Sequence, residues 1–289
     1  MRATRVILFL LGLSTGATAQ QVSPVIKAAS AILVDARTGE VLFEKNADAP
    51  RAVASTQKLL TALLIAERGD LDSPMQIEPV DTQCDPTMLY LKPGDSYLRR
   101  DLLNALMVKS ANDVARALAR DNAGSVEEFV EKMNRRAFVL GAEKSNFVNP
   151  NGLPAEGQFS CARDMAKIAL AAYEIPEIRS AAMTKLLEFH YADGRTVPLQ
   201  NTNRVMREND FCNGMKTGYT NLAGHCLVSS GMANDREVIA VVLGSSKPRV
   251  WTESANLLRF GLGLPIRPEP TPAPKKPPKK STKTKRSTG

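Results

Sequence analysis

The chain has 289 residues, of which 43% are hydrophobic, so it can bury the core of one large domain or of two small ones. Its formal net charge is +8, but residues 267–289 carry +7 and residues 20–266 carry −1. A folded body so close to neutral argues against a nucleic-acid-binding protein.

Residues 1–19 have the organisation of a secretory signal peptide. Arg2 and Arg5 form a basic start, residues 6–13 are apolar, and small residues at 17–19 provide a cleavage site. The apolar run is too short to span a bilayer, no cysteine follows the cleavage site to take a lipid, and no later segment predicts a membrane helix. We therefore expect an exported mature chain that begins at Gln20 and has no transmembrane helix.

The body opens with β-rich runs on either side of a turn at residues 36–39, which predicts a hairpin. Leucines then recur at helical spacing between Ser55 and Glu67, and Gly69 marks the end of that helix. Further helical stripes occupy residues 101–109, 112–124, 126–141 and 161–173. The middle of the chain is therefore predicted to form a helical block.

The residue pattern returns to strands after Pro176. β-rich runs occupy residues 185–200, 215–232 and 237–246, and a last helix is expected at about residues 249–260. Strands at both ends with helices between them predict an α+β fold, in which one discontinuous antiparallel sheet packs against the helical block. This arrangement makes residues 20–265 one domain.

Four cysteines lie in the body: Cys84, Cys161, Cys212 and Cys226. An oxidising compartment permits disulfides, and four cysteines allow three full pairings, among which the sequence does not choose. Their spacing fits no zinc pattern, and no metal or other cofactor is expected.

A serine and a lysine, Ser55 and Lys58, stand three positions apart in "AVASTQKLL", where the first helix begins. At this spacing they share one helix face, so the amine can touch the hydroxyl. A serine hydroxyl is a poor nucleophile and needs a base, and lysine serves as one only when burial or a second cation lowers its pKa. The helix N-terminus also offers a backbone N–H to an oxyanion. The competing interpretation is that Ser55 is an ordinary N-cap.

Two later triplets supply the remaining parts of such a site. Ser110 and Asn112 fall at a break between two predicted helices, where Ser110 can relay a proton and the Asn112 amide can hold a substrate amide. Lys216, Thr217 and Gly218 lie in a predicted strand. Lys216 would be the second cation, and Gly218 would let a substrate backbone lie close along the strand.

The order Ser-x-x-Lys, Ser-x-Asn, Lys-Thr-Gly is the signature of penicillin-binding proteins and serine β-lactamases. Longer segments extend the likeness, among them "VDARTGEVLFEKNADAPRAVASTQKLLTALL", "FVNPNGLP", "NTNRV" and "GMKTGYTNLAGHCLV". Over about residues 29–262 the chain resembles the D-alanyl-D-alanine carboxypeptidases, the low-molecular-weight penicillin-binding proteins of the serine peptidase S11 family. The resemblance implies a three-layer, transpeptidase-like α/β sandwich in the periplasm or cell envelope of a bacterium.

The resemblance also implies a reaction. Ser55 is acylated by the peptidoglycan stem peptide and releases the terminal D-alanine, and water then frees the acyl-enzyme. Lys58 is the base for Ser55, while Ser110 and Lys216 pass protons. β-Lactams are expected as inhibitors that acylate the same serine.

Substrate recognition is implied at the strand that carries the third motif. The backbone N–H groups of Ser55 and Tyr219 form the oxyanion hole. Thr217 and Arg249, the latter in "SKPRV", hold the terminal carboxylate of the substrate.

Three other functions use some of the same residues. A D,D-endopeptidase would cut peptidoglycan crosslinks with the same catalytic groups. A class A β-lactamase needs a carboxylate for deacylation, and neither Glu143 nor Glu156 lies in its Glu-x-x-x-Asn arrangement. A non-catalytic wall-binding or β-lactam-sensing protein would not need Ser55, Lys58 and Lys216 intact.

Residues 266–289 are rich in proline and lysine and have no apolar periodicity, so we predict an extended or disordered basic tail. Members of the family often carry a second, β-rich domain and an amphipathic anchoring helix at this point. Two interpretations of the tail stay open. It is either a simple flexible terminus or a tether to anionic cell-wall polymer or lipid headgroups.

Overall fold

A five-stranded antiparallel sheet organises residues 23–267, the part of the chain that the computed structural model describes. The predicted signal peptide and the predicted tail beyond residue 267 lie outside the described residues. The strands of the described part are β1 (Ser30–Asp35), β2 (Val41–Lys45), β3 (Pro74–Gln76), β4 (Ser96–Leu98), β5 (Leu186–His190), β6 (Thr196–Gln200), β7 (Cys212–Thr220), β8 (Gly224–Ala233) and β9 (Arg236–Ser245).

The main sheet has the strand order β2-β1-β9-β8-β7, and two small hairpins pair β3 with β4 and β5 with β6. The helices in the same range are α1 (Lys58–Arg68), α2 (Arg99–Lys109), α3 (Asn112–Ala123), α4 (Val126–Val139), α5 (Ala162–Glu174), α6 (Pro176–Met183), α7 (Arg204–Glu208) and α8 (Arg249–Gly261). None of these helices has the length and apolar character needed to cross a lipid bilayer. The predicted hairpin at β1 and β2, the helical block and the last helix are confirmed.

The two faces of the sheet carry different cores because side chains alternate along each strand. β1 pairs with β9 so that Ile32 lies opposite Val241 and Leu33 lies opposite Ala240. Ile32 and Val241 pack into the larger core with the helical block, whereas Leu33 and Ala240 pack into a second core with α8. The molecule therefore has three layers, and the predicted three-layer sandwich is confirmed.

Helix α1 runs through the middle of the helical block, in contact with α2 to α6. Leu59, Leu60 and Leu63 are almost completely buried, and each buried leucine contributes roughly 1.5–3 kcal/mol to stability. The helix ends at the predicted glycine, Gly69, which has the positive φ of 77° that favours glycine. Burial of the whole helix fixes Lys58, its first residue, inside the protein.

The four cysteines are free thiols in the structure. Cys161 caps α5, where its sulfur accepts a hydrogen bond from the backbone N–H of Asp164 at 3.4 Å. Burial raises the pKa of Cys212 to about 12 and that of Cys226 to about 11. None of the three pairings left open by the sequence is formed, and the buried thiols serve as small packing groups.

The last described residues stay in contact with α8. Arg267 forms two backbone hydrogen bonds with the side chain of Asn256: its N–H donates to Oδ1 at 3.1 Å, and its carbonyl accepts from Nδ2 at 2.8 Å. Asn256 lies on α8, so the chain is held against this helix as far as Arg267.

Candidate active site

Ser55 lies in a 3-10 turn, Ala54–Gln57, that leads directly into α1. This differs slightly from the first α-helical turn expected from the sequence. Neither the 3-10 turn nor α1 has a side-chain N-cap hydrogen bond. The hydroxyl of Ser55 instead contacts Lys58 Nζ at 2.9 Å and the carbonyl oxygen of Asn151 at 3.2 Å. The ordinary N-cap interpretation of Ser55 is therefore wrong.

The amine of Lys58 is completely buried and has three oxygen neighbours. It lies 2.9 Å from Ser55 Oγ, 2.7 Å from Asn112 Oδ1 and 2.5 Å from the carbonyl oxygen of Asn151. Burial and then the positive charge of Lys216 hold the pKa of Lys58 well below its usual range. Burial and a second cation are the two conditions under which a lysine can act as a base, and Lys58 has both.

The amine of Lys58 donates to three oxygens, Ser55 Oγ, Asn112 Oδ1 and the Asn151 carbonyl, while the Ser55 hydroxyl donates to the Asn151 carbonyl. When the amine gives up one proton, its two remaining N–H groups can stay on Asn112 Oδ1 and the Asn151 carbonyl, which are acceptors only. The lone pair can then take the hydroxyl proton of Ser55. The geometry is that of a general base hydrogen-bonded to its nucleophile.

The second motif forms a corner between α2 and α3. Ser110 follows α2 in the left-handed conformation, with φ 68°, which turns the chain toward the cleft. Asn112 begins α3, and its side-chain Nδ2 donates to the carbonyl of Asp85 at 2.8 Å. Both ends of the Asn112 amide are therefore engaged within the protein, and Asn112, which is buried and does not line the cleft, positions the amine of Lys58.

The third motif lies on β7, which passes close to the serine turn. A Cβ atom added to Gly218 would lie 2.9 Å from the backbone nitrogen of Ser55, so only glycine permits this approach. The Lys216 amine is buried, which lowers its pKa to about 7. Thr217 Oγ1 hydrogen-bonds Thr202 Oγ1 at 2.6 Å and stays partly exposed.

The loop at residues 149–153 packs against the serine turn on the side away from β7. None of the three sequence motifs includes this loop. Gln57 Nε2 donates to the carbonyl of Asn149 at 2.5 Å, and Thr61 Oγ1 donates to the carbonyl of Pro150 at 2.7 Å. Gly152 has φ 86°, and a Cβ there would lie 2.2 Å from the carbonyl oxygen of Ala54. The segment "FVNPNGLP" is part of the family resemblance, but it contributes to the site through backbone carbonyls. Any residue can supply a carbonyl, so no side-chain motif marks this role in the sequence.

These elements enclose a cleft of about 270 Å³. Its lining residues are Ser55, Thr87, Lys109, Ser110, Thr202, Thr217, Gly218, Tyr219, His225, Cys226, Val250 and Trp251. A β-bulge in β8 at residues 225–227 brings both His225 and Cys226 to the cleft. The ring of His225 stacks on that of Tyr219 with centroids 4.4 Å apart.

Arg249 stands apart from the other predicted site residues. It opens α8 with an exposed side chain and is not one of the residues that line the cleft, although Val250 and Trp251 are. Within residues 23–267, no group of three or more His, Cys, Asp or Glu side chains is arranged to hold a metal ion. The side chains that line the cleft offer hydroxyls, the amine of Lys109, the imidazole of His225, the thiol of Cys226 and the indole N–H of Trp251.

Comparison with known proteins agrees with this fold and these motifs. Residues 16–247 match the Peptidase S11 family, described as D-alanyl-D-alanine carboxypeptidase. The chain belongs to this family of serine hydrolases.

Individual relatives include both kinds of peptidase. The D-alanyl-D-alanine carboxypeptidase DacF of Bacillus subtilis is 35% identical over 228 residues, which are 77% of this chain and 59% of that protein. The D-alanyl-D-alanine endopeptidase of Escherichia coli is 30% identical over 258 residues, 84% of this chain and 83% of that protein. The crystal structure of a D-alanyl-D-alanine carboxypeptidase from Mycobacterium tuberculosis is 31% identical and superposes with a TM-score of 0.80, covering 85% of this chain and 95% of that one.

Proposed function

We propose that this protein removes the terminal D-alanine from peptidoglycan stem peptides through an acyl-enzyme on Ser55. One observation carries the proposal: the buried amine of Lys58 lies 2.9 Å from the Ser55 hydroxyl, with its other two contacts on acceptors. A protein that only binds cell wall, without forming a covalent bond, would have no use for a lysine held in this form. The proposal therefore favours an enzyme.

Acylation begins with attack of Ser55 Oγ on the carbonyl carbon of the penultimate D-alanine, while the hydroxyl proton passes to Lys58 Nζ. The resulting oxyanion takes hydrogen bonds from the backbone N–H groups of Ser55 and Tyr219. The C–N bond then breaks, and the departing amine of D-alanine gains a proton through Ser110. Lys216 supplies positive charge on that side of the cleft.

Deacylation repeats the sequence with water as the nucleophile. Lys58 takes a proton from the water, the oxygen attacks the ester carbon, and Ser55 Oγ leaves with a proton as the shortened peptide departs. A β-lactam acylates Ser55 in the same way, but its amine stays tethered to the acyl group and blocks the approach of water. We expect a long-lived penicillin adduct.

Intact-mass spectrometry after incubation with penicillin tests the proposal. The wild-type protein should gain the mass of one penicillin, and Ser55→Ala should gain none. Release of D-alanine from a peptide ending in D-Ala-D-Ala should be lost in the same variant. A penicillin adduct that persists in Ser55→Ala would contradict the assignment of the nucleophile.

A second candidate function is cleavage of crosslinks. Two relatives, from Escherichia coli and Pseudomonas aeruginosa, are named D-alanyl-D-alanine endopeptidases. They match this chain over 83% and 82% of their own lengths. The exposed position of Arg249 also leaves the carboxylate end of the cleft open to a longer leaving group. Incubation with a D-Ala-D-Ala peptide and with a crosslinked dimer, followed by mass spectrometry, shows which substrate is cut.

We also propose that the chain works outside the cytoplasm and that its basic tail binds an anionic surface. The composition of residues 1–19 supports export, and the charge of +7 over residues 267–289 supports a salt-dependent attraction. Truncation after Arg267 should leave activity on a small peptide unchanged and reduce co-sedimentation with cell-wall sacculi at low salt. Equal sedimentation of the two forms favours the simple flexible terminus.

A further inference from the structure

A second cavity, of about 330 Å³, lies between α7 and α8 beside the catalytic cleft. It is lined by Arg204, Val205, Glu208, Asn209, Pro248, Trp251, Thr252, Ala255, Asn256, Arg259 and Arg267. We call it the α7–α8 groove. Trp251 lines both the groove and the cleft, and Thr202 of the cleft stands just before Arg204 of the groove. The two cavities are therefore neighbours that share a wall.

The groove carries an excess of positive charge. It contains three arginines and one glutamate, and Glu208 is paired with Arg204 at 2.7 Å. Within residues 23–267, Arg259 and Arg267 form no salt bridge. Two guanidinium groups therefore face the same cavity without an acidic partner in the described part of the chain.

Arg259 is held in an arrangement that an anion would improve. Its guanidinium lies over the ring of Phe211 with 4.7 Å to the centroid, and Nη1 donates to the carbonyl of Pro265 at 3.2 Å. Its Nε atom is buried and has no hydrogen-bond partner in the described residues. Burial and the charge of Arg267 lower the pKa of Arg259. A bound carboxylate would neutralise the repulsion between the two arginines and accept hydrogen bonds in the geometry that guanidinium favours.

The position of the groove relative to the cleft identifies the part of a substrate that reaches it. The resemblance to the family implies that the carboxylate that follows the scissile bond lies at Thr217 and Arg249. Arg249 opens α8, and the groove continues along the same helix through Trp251, Thr252 and Ala255. A leaving group that extends beyond that carboxylate along α8 would reach the groove. A released D-alanine has nothing beyond its carboxylate, whereas the second stem peptide of a crosslink continues past this point.

We propose that the α7–α8 groove binds an acidic peptide on the leaving-group side of the scissile bond, with Arg259 and Arg267 on its carboxylate and Trp251 against its apolar part. This inference rests on the proposed function in its second form, cleavage of crosslinks, and assigns the residues that would hold the second stem peptide. Arg259 and Arg267 act as specificity residues, since neither lines the cleft where the bond is broken.

Binding to the inactive Ser55→Ala protein tests the inference without a need for turnover. Trp251 is the single tryptophan of the chain, so intrinsic fluorescence reports on the wall shared by the two cavities. The dissociation constant of a crosslinked muropeptide dimer is compared with that of a monomeric peptide ending in D-Ala-D-Ala. In the background of Ser55→Ala, Arg259→Gln and Arg267→Gln should each weaken binding of the dimer, relative to the monomer, by about tenfold.

Arg207→Gln is the matched control, because Arg207 is an exposed arginine of α7 that does not line the groove. Unchanged relative affinity in both groove variants, or an equal loss in Arg207→Gln, overturns the inference. A dimer that fails to bind the parent protein also overturns it. Arg267→Gln keeps the backbone bonds to Asn256, so it decides the matter if Arg259→Gln does not fold.

Penicillin acylation, measured with Ser55 intact, separates this inference from the proposed function. If penicillin acylates the wild-type protein but the Arg259→Gln and Arg267→Gln variants bind the dimer as the parent does, only the inference about the groove is contradicted. Failure of the wild-type protein to acylate contradicts the proposed function itself.

Discussion

The two ends of the catalytic cleft are built in opposite ways. At the Ser55 end, the amine of Lys58 is buried and is held by Asn112 and the Asn151 carbonyl at 2.7 and 2.5 Å. At the other end, Tyr219 keeps 56% of its surface accessible, and Arg249 is exposed next to Val250, a residue that lines the cleft. The first end sets the protonation state of its groups through burial, and the second leaves its side chains to be ordered by the ligand.

This difference separates chemistry from recognition. A base with a lowered pKa requires exclusion of water and partners that cannot move away, which only a packed interior supplies. A carboxylate held by an exposed arginine such as Arg249 would bind and release quickly, because water screens the charges and competes for the hydrogen-bond donors. Mutations at the first end should therefore affect the rate of acylation, and those at the second should affect the choice of substrate.

The largest effect is expected when the buried amine of Lys58 is removed. Lys58→Met keeps the length of the side chain but has no base, so acylation by penicillin should slow by about 10²–10⁴-fold. Stopped-flow acylation rates measure the effect. Lys185→Met, an exposed lysine on the surface, is the control and should acylate at the wild-type rate. A loss below about tenfold in Lys58→Met would falsify the assignment of Lys58 as the base.

The next test displaces the serine turn without touching a catalytic side chain. A Cβ at residue 152 would lie 2.2 Å from the Ala54 carbonyl oxygen, so Gly152→Ala must shift this turn. A shift of about 1 Å can reduce a rate by about 100-fold. Gly194→Ala is the matched control: φ is 87° there, close to the 86° of Gly152, but no atom lies within 4 Å of the added carbon.

Acylation rates and thermal unfolding are measured for both glycine variants. Together they separate the effect of backbone strain on stability from the effect of a displaced serine turn on the reaction. Both variants bear the backbone strain of alanine at positive φ, roughly 1–3 kcal/mol. Only Gly152→Ala should also lose its acylation rate. Equal acylation rates in the two variants would show that the serine turn adapts and that its position is not fixed by packing.

A smaller effect is expected at the open end of the cleft. Arg249→Ala should lower kcat/KM for a D-Ala-D-Ala peptide by about 30-fold, or about 2 kcal/mol, the lower part of the range for a charge pair because this arginine is exposed. The loss should be much smaller for the same peptide with an amidated C-terminus, which offers no carboxylate. If both peptides lose equally, Arg249 acts through positioning or folding.

The smallest effect is a pH dependence of stability that arises at the buried end. Burial lowers the pKa of Lys216 from 10.5 to about 7. Between these values the unfolded chain holds a proton that the folded chain has released, so the free energy of unfolding rises with pH, by at most about 1.4 kcal/mol per unit. Below about pH 7 both states are protonated, and the slope from this group vanishes.

Lys216→Met removes this contribution. Equilibrium urea unfolding between about pH 7 and 8.5 should give a slope that is flatter than in the wild type by about 1 kcal/mol per unit. The upper limit avoids the opposite contribution of buried thiols such as Cys212, whose pKa is raised to about 12. Parallel slopes in the two proteins would mean that Lys216 keeps its proton in the folded state.

Much of the fold and of the reactive groups could be predicted because they leave periodic or side-chain signals. The stripe of α1, its glycine stop at Gly69 and the spacing of Ser55 and Lys58 are local properties of the chain. The main sheet followed from β-rich runs at both ends of the body, although the run predicted at residues 185–200 forms a separate hairpin of β5 and β6 and does not join that sheet. These features depend on few contacts between distant residues.

The rest of the site depends on distant backbone and was not predictable in this way. The Asn151 carbonyl lies 96 residues from Ser55 in sequence, and any residue could supply a carbonyl there. The close approach of Gly152 to Ala54 is visible only once the chain is folded. Adjacent strand residues ordinarily face opposite sides of a sheet, but the bulge at residues 225–227 interrupts this alternation, and both His225 and Cys226 line the cleft.

The pairing of β1 with β9 has a consequence for how the chain is made. Ala31 lies opposite Val242, so the centre of the sheet joins an early segment of the chain to a late one. Contacts of such high sequence separation form slowly, because a long loop must close before they stabilise anything. On the ribosome, β1 has no partner from β9 until almost the whole body has been translated. Ser55 and Gly218 come together only after that point, so an incomplete chain carries the nucleophile without the cleft that activates it.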